Sequence, residues 1–483
     1  MPVGNRPIDV IELLGGPPSR IGPRPVPATP PLVVVDASDD PARLQAYRKL
    51  RHRAFVDEQR LFAGIDADEW DDHPATIFLT ALARDGTVLG GVRLHPAQDG
   101  GPELGWWRGS RLVATRGPDL RRGDVGAALV RAACGRALEC GALRFDARVQ
   151  AAHAPFFTQL GWEQIRATRI CGAPHLLMRW PIHRIAEHAH ATKESLGELI
   201  GEVLPHDRWR GDDGVPIPGS DVIACTDAIT PSMVDRDPRW AGWCGMLVTA
   251  NDLAAMGATP IGVLDAVAGR DTAHVAAILR GVRDGAEAFD LPVLGGHTQL
   301  GVPGALSVTG LGRAAAPVPG GGGRPGDAVW VCADLEGGWR PGYRGRQWDS
   351  TSRRTRAELR PMLDLVRRTQ PRAAKDASMA GIVGTVAMLA EASGCGAEIE
   401  IARVPRPERA LMADWLTCFP GFAVVLAQPA DAPEPRGGGA VSAGCARLSA
   451  HGGVRLRWPD DEITTAVAVD AITGLGPATG GPS

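Results

Sequence analysis

Tyrosine and lysine are nearly missing from this 483-residue sequence: Tyr47 and Tyr343 are its two tyrosines, and Lys49, Lys193 and Lys375 its three lysines among 52 basic residues. A phenolic acid is therefore scarce, and each lysine stands out in a chain that otherwise uses arginine. No stretch approaches the roughly 20 apolar residues of a membrane helix, and no basic segment followed by an apolar run opens the chain. The nine cysteines are scattered, odd in number and never in a C-x-x-C pair, which argues against a disulfide framework and a zinc site. A reducing cytoplasm is the expected setting. A net charge of -3 offers nothing to nucleic acid or an anionic membrane, which leaves small molecules as the expected partners. With 44% hydrophobic residues the chain reads as soluble and globular, and its length calls for two or three domains.

Proline and glycine punctuate the chain. Residues 1–31 contain Gly15-Gly16-Pro17-Pro18 and Pro23-Arg24-Pro25-Val26-Pro27, a composition expected of a flexible leader. Residues 32–182 alternate strand and helix patterns, with a strand at 32–35, a helix over 42–55, a hairpin of 77–83 and 88–94 turned by Asp85-Gly86, and a helix over 125–139. A compact α/β domain is expected there. A charged, His-rich stretch, 183–194, reads as a connection. A second α/β pattern then divides into 195–316 and 326–475 around Gly320-Gly321-Gly322-Gly323, with 317–325 expected as a flexible linker and 476–483 as a tail.

In the first domain Val113-Ala114 closes a strand pattern, and Arg121-Arg122-Gly123-Asp124-Val125-Gly126-Ala127 opens a helix. Glycines let backbone amides approach a pyrophosphate, and a helix N-terminus favours an anion. Downstream, Ala154-Pro155-Phe156-Phe157-Thr158-Gln159-Leu160-Gly161-Trp162 reads as a helix closed by glycine, followed by a strand. In this order the two segments resemble the GNAT acyltransferases. The resemblance implies acetyl-CoA held by Val113, Ala114, Arg121, Arg122, Gly123, Val125, Gly126 and Ala127. It also implies a tyrosine on the late helix as proton donor, where this chain has Phe157. Glu58, in Phe55-Val56-Asp57-Glu58-Gln59, and His153 are the candidate catalytic groups that remain. The run Asp66, Asp68, Glu69, Asp71, Asp72 is expected either to attract a cationic amine or to be solvated.

The second half carries three acidic segments, Asp212-Asp213, Asp227 and Asp252, separated by strand and helix patterns. Magnesium takes oxygen ligands and bridges triphosphate oxygens through few protein carboxylates, so these four aspartates are candidate metal ligands. Asn251-Asp252 in Ala250–Ala258 is expected at the head of a short helix ended by Gly257. With Gly295-Gly296-His297-Thr298 and Lys375-Asp376-Ala377-Ser378-Met379-Ala380-Gly381, these motifs resemble the family of aminoimidazole ribonucleotide (AIR) synthetase, selenophosphate synthetase, thiamine-monophosphate kinase and the hydrogenase-maturation dehydratase. The resemblance runs from about Ser195 to Gly474. It implies ATP and Mg2+, with Asn251 near the nucleotide and Gly295, Gly296, His297 and Thr298 in a loop by the phosphates. His297 is a candidate for contact with phosphate or substrate. Lys375, with Asp376, is the preferred anion ligand and Lys193 a weaker one. Residues 191–201 hold no cysteine, which argues against selenide chemistry.

The chain is thus expected to be a fusion: a GNAT-like domain followed by a two-subdomain AIR synthetase-like α/β fold, mixing α/β and α+β architecture. The expected activity is bifunctional, an N-acyltransferase joined to an ATP-dependent kinase or synthetase. One or both halves as ligand-binding regulatory modules is the alternative. The pairing resembles a bacterial family whose gene clusters also hold a nitrilase, which implies nitrogen-containing small molecules. A homodimer through the second half is expected, since the strand patterns at 221–226 and 305–311 would present open edges unless paired.

Overall fold

The computed structural model describes residues 32–100, 103–115, 121, 123–193, 196–468 and 472–478. The expected leader 1–31, Arg122 and tail residues 479–483 lie outside the described residues. The chain divides into two compact units at Ile182/His183. Among the described residues no helix is long and apolar enough to cross a membrane.

The first unit runs β1 (Leu32–Asp36), α1 (Pro41–His52), β2 (Ile77–Ala83), β3 (Val88–Pro96), β4 (Trp106–Ala114), α2 (Asp124–Glu139), β5 (Arg144–Gln150), α3 (Ala154–Gln159), β6 (Glu163–Ile170) and β7 (Ala173–Trp180). Its seven strands form one sheet in the order β1-β2-β3-β4-β5-β7-β6. Asp40 caps α1 by accepting from the Arg43 amide, and Pro41 supplies a preset first turn. Gly86, at φ 85°, turns the β2–β3 hairpin where a side chain would be strained. Val125, Leu129, Ala132, Ala133 and Ala137 line one stripe of α2 and pack with Val92, Leu94 and Phe145 of the sheet.

Two irregularities open this sheet. Neighbouring strands are antiparallel except β4 and β5, which run parallel and pair only through Trp106–Gly109 and Arg144–Ala147. Past those residues each strand continues without the other. Gly91 pairs with Val113 but Arg93 with Ser110, so Arg111 and Leu112 together face Val92 in a bulge, with Arg111 in the left-handed region at φ 55°.

The second unit begins with α4 (Arg184–Lys193), α5 (Leu196–Ile200), β8 (Val215–Pro216), β9 (Val222–Ala228), α6 (Pro231–Arg236), α7 (Pro238–Ala255), β10 (Thr259–Gly269), α8 (Thr272–Phe289), β11 (Val293–Leu300) and β12 (Ala305–Arg313). Its first sheet has the order β11-β10-β12-β9-β8. Helices α7 and α8 approach closely because Gly242 of α7 faces the Ile278 carbonyl and Gly281 of α8 faces the Arg239 carbonyl, and a Cβ at either would clash with backbone. The unit continues through β13 (Ala328–Ala333), β14 (Gly338–Trp339), β15 (Trp348–Asp349), α9 (Arg356–Leu363), α10 (Leu365–Thr369), β16 (Ala373–Asp376), α11 (Gly381–Ala392), β17 (Gly396–Glu400), α12 (Met412–Thr417), β18 (Ala423–Gln428), β19 (Val441–Ser449), β20 (Val454–Arg457) and β21 (Ile463–Val467). The second sheet has the order β16-β18-β13-β19-β17-β20-β21. Leu247 and Leu253 of α7 share one core with Val263 and Val308 of the first sheet and Val424 and Leu426 of the second.

Several expected features take another form. The stretch 183–194 carries α4, whose Ile185 and Ala189 are buried. In 317–325, Val318, Gly320, Gly321 and Gly323 are buried, so glycine there serves close packing. The strands at 221–226 and 305–311 are β9 and β12, both flanked inside the first sheet, and its open edges are β8 and β11. Ala250–Ala258 forms the end of the 18-residue α7, not the head of a short helix, because the apolar pattern extends back to Trp240.

Candidate functional site

Four segments of the second unit bring their carboxylates together. Asp213 follows the left-handed turn at Gly211, Asp227 sits near the end of β9, Asp252 in the last turn of α7, and Asp376 at the end of β16. One oxygen each of Asp213, Asp252 and Asp376 lies within 4.8 Å of the other two. Asp252 and Asp376 are buried. Burial pushes both carboxyls well above their ordinary range, and mutual repulsion with Asp227 and, at Asp376, with Asp213 adds to it. A carboxylate in the last turn of α7 also opposes the negative end of the helix dipole. Asp227 Oδ2 and Asp376 Oδ2 are buried and have no hydrogen-bond partner among the described residues. An arrangement so costly to a folded chain is what a divalent cation would relieve, and an all-oxygen donor set suits magnesium.

Lys375 holds one side of this cluster. Its Nζ donates to the Gly211 carbonyl at 2.8 Å and to Asp213 at 3.2 Å, with Asp212 at 4.0 Å. Asp213 also accepts from the Asp376 amide at 2.8 Å. Burial nevertheless pushes Asp212 up to about 6, against the pull of Lys375. A Cβ on Gly320 would fall 2.8 Å from the Lys375 ammonium and into Asp212, which explains glycine at that point.

The sequence-derived assignments shift accordingly. Lys375, expected as an anion ligand, is committed to Asp213 and its neighbours, because it is 3% exposed and fully surrounded. Lys193, expected as the weaker candidate, is half-buried, forms no ion pair among the described residues, and adds favourable charge at Asp376. Asp376 joins the carboxylates instead of an anion loop, while Asp212, expected with them, is not one of the three that converge and lies against Gly320. Asn251 donates to the Gly421 carbonyl at 2.8 Å, and its buried Oδ1 has no partner among the described residues. Gly295, Gly296, His297 and Thr298 do not form a loop: they lie on the exposed edge strand β11, paired in parallel with β10. Gly296 aligns with Asp265, Asp265 with Val308, and Val308 with Asp227. Three strand spacings, roughly 14 Å, therefore separate His297's strand from that of Asp227 within one chain.

In the first unit, the gap between β4 and β5 opens a cleft of about 1210 Å³, lined in part by Ser110–Thr115, Gly123, Gly126 and Phe156. Gly123, at φ 98°, caps α2, and the Ala127 amide is already bonded to its carbonyl. The amides of Val125 and Gly126 have no carbonyl within the helix to meet. The side chains of Val113 and Val125 are buried in the cores, so they offer only backbone, and Ala114 is exposed at the end of β4. Arg121 is exposed and its amide donates to Asp124 at 2.8 Å. Glu58 ends a π-helical turn over Arg53–Glu58, His153 precedes α3, and both are exposed on the cleft. Phe157 packs edge-on against Phe156 and Trp162 in the core.

Of the acidic run beside this cleft, Asp66, Asp68 and Asp71 are taken up by arginines, while Glu69 and Asp72 stay exposed. Arg51 binds Asp66 at 2.7 Å and also pairs with Asp71, Arg93 binds Asp68 and Asp71, and Arg111 binds Asp68 at 2.9 Å. Burial alone pushes Asp68 and Asp71 up, but these guanidiniums outweigh it and hold both carboxyls below their ordinary range. Tyr47 donates to the Arg111 carbonyl at 2.8 Å, fixing the bulge. Sequence spacing gave no sign that arginines from α1, β3 and β4 would meet this loop.

The crowding in the second unit has a measurable sign. Without divalent cation, the raised Asp252 pKa means that the folded chain keeps a proton the unfolded chain releases above about pH 4. That contribution is present below pH 4 and is lost as pH rises through the folded-state value. Asp252→Asn is therefore expected to melt above the parent protein at pH 8 in chelator, with the difference shrinking toward pH 4. Calorimetry showing a lower melting temperature for the variant at pH 8 would contradict the crowding.

Two family models match the second unit: AIR synthase related protein, N-terminal domain, over residues 211–314, and AIR synthase related protein, C-terminal domain, over residues 324–436. An uncharacterized protein of Synechocystis sp. is 32% identical over 224 residues, 45% of this chain and 69% of that protein. A thiamine-monophosphate kinase of Methanopyrus kandleri is 29% identical over 232 residues, 45% of this chain and 74% of the kinase. A solved thiamine monophosphate kinase from Aquifex aeolicus is 19% identical with a TM-score of 0.42, covering 56% of this chain and 97% of that one. Through its second unit, the chain belongs to the AIR synthase-related family.

Proposed function

We infer that the second unit is a magnesium-dependent ATP enzyme that transfers a phosphoryl group to an oxygen of a small molecule. The observation that carries this is the buried convergence of Asp213, Asp252 and Asp376, joined by Asp227. These residues would hold magnesium, which supplies charge neutralisation for a triphosphate. Asn251 Oδ1 and the ammonium of Lys193 remain to meet nucleotide. The similar kinases act on thiamine monophosphate, which gives this unit a reaction class and not a substrate. The reading includes a homodimer through the β11 edge, where Val293, Leu294 and Leu300 of β11 and the neighbouring Leu264 of β10 are exposed. A second copy there would cover the apolar edge. Calorimetry should show Mg-ATP binding weakened roughly tenfold or more in Asp376→Asn, with little change in metal-free ATP. Light scattering on the same samples should give the mass of two chains. Equal Mg-ATP affinity in parent and variant would remove the metal assignment, and a monomer with full affinity would remove the dimer.

For the first unit the reading is acetyl-CoA-dependent N-acyl transfer. Its support is the cleft between diverging β4 and β5, with the bulge on one side and the glycine-capped start of α2 on the other. Backbone amides at Val125 and Gly126 suit a pyrophosphate. A Cβ at Gly126 would already stand 3.4 Å from Phe156, so a large side chain there has to enter the cleft. Full-length Gly126→Trp is expected to lose acetyl-CoA binding in calorimetry while keeping Mg-ATP binding. Unchanged acetyl-CoA affinity would remove the acyltransferase reading.

A further inference from the structure

One end of the first unit's cleft holds a group that the coenzyme reading does not use. His95, near the end of β3, lines the cleft and is only 4% exposed. Its Nδ1 lies 2.7 Å from the Pro96 carbonyl oxygen. A carbonyl only accepts, so Nδ1 carries the proton and Nε2 keeps its lone pair. Trp70 stacks on the imidazole, with ring centroids 4.4 Å apart and planes 25° from parallel, which fixes the ring's orientation. Among the described residues nothing donates to Nε2. Burial, helped by the charge of Arg93, pushes His95 down to about 3, so the ring is neutral at physiological pH. A buried acceptor facing a cleft without a donor is a place for a donor carried by the ligand.

The surrounding charges say what kind of donor. Asp66, Asp68 and Asp71 are spent on Arg51, Arg93 and Arg111. Glu58 and Glu69 are different: both are exposed, both line the cleft, and neither has an ion pair or hydrogen bond among the described residues. Glu69 adjoins Trp70, the residue stacked on His95.

We propose that Nε2 of His95 accepts a hydrogen bond from the N–H of an acceptor amine and so aims its lone pair, and that the acceptor is a diamine whose second, protonated nitrogen is matched by Glu69. This rests on the acyltransferase reading. The reacting nitrogen enters neutral, its extra proton already given to solvent. Its lone pair attacks the thioester carbonyl carbon, a C–N bond forms, and the C–S bond breaks. The proton it sheds passes through solvent to the leaving thiolate, giving the N-acetyl amine and free coenzyme A, and His95 stays neutral throughout. Glu58, expected from sequence to be the base, becomes a second counter-charge along the cleft.

The test uses the full-length protein and follows thiol release from acetyl-CoA with 1,4-diaminobutane, butylamine and 4-aminobutanoate as acceptors. The diamine should have the highest kcat/KM, by about tenfold over butylamine, with 4-aminobutanoate the poorest. Glu69→Gln should raise KM for the diamine roughly tenfold and leave butylamine unaffected. His95→Phe should lower kcat/KM for the amines at least tenfold with acetyl-CoA affinity intact, which also shows that the variant is folded, and His95→Gln, which keeps an acceptor, should restore part of the loss. Full turnover in His95→Phe, or equal use of the three acceptors by the parent, overturns the inference. A parent protein that binds acetyl-CoA but acetylates none of them also overturns it and leaves the coenzyme reading standing. Absence of acetyl-CoA binding removes both.

Discussion

Repulsion among carboxylates taken out of water is the constraint around which the second unit is organised. Asp213, Asp252 and Asp376 come from a loop, a helix end and an edge strand far apart in sequence, and the carboxylates of Asp252 and Asp376 would be more stable in solvent than beside the others. Lys375 offsets part of that cost by tying the 211–213 loop to β16. Removing one partner from such a buried pair typically costs about 3–5 kcal/mol, so the lysine holds the two subdomains in register as well as neutralising charge. The close passage of Gly320 over this pair follows from the same demand for space. The shared core of α7 with both sheets supplies the stability that the cluster spends.

The first unit solves a similar problem with opposite bookkeeping. Its buried carboxylates are matched by Arg51, Arg93 and Arg111, and the network anchors the loop 66–71 against β3 and β4. Arginine suits this work because its planar fork reaches two carboxylates at once. Through Arg111 and Tyr47 the same network holds the bulge that bends β4 away from β5 and opens the cleft. In one unit unmatched charge marks the place for a cation, and in the other matched charge stiffens the wall of a pocket.

Much of this was legible in the sequence where local pattern decides structure. Asp85-Gly86 marked the hairpin, the apolar stripe over 125–139 marked α2, and the order of Asp212-Asp213, Asp227, Asp252 and Lys375-Asp376 marked the family. Roles set by long-range packing were not legible. Which of Lys193 and Lys375 remains available depends on how 211–213 meets β16, separated by more than 150 residues. The Gly295–Thr298 segment carries turn-like glycines, yet pairing with β10 makes it an edge strand. The arginine partners of Asp66, Asp68 and Asp71 were invisible because no local spacing links α1, β3 and β4 to that loop. His95 carries no local signal, because its Trp70 stack and its fixed tautomer exist only in the folded unit.

The central claim is that distant carboxylates of the second unit converge on a divalent cation. Manganese(II) binding to the nucleotide-free, full-length protein, read by the loss of the free-ion electron paramagnetic resonance signal, tests it most directly. The account predicts one site in the parent protein at neutral pH and at least tenfold weaker binding in both Asp213→Asn and Asp252→Asn. Binding that is absent from the parent, or equal in all three proteins, would contradict it.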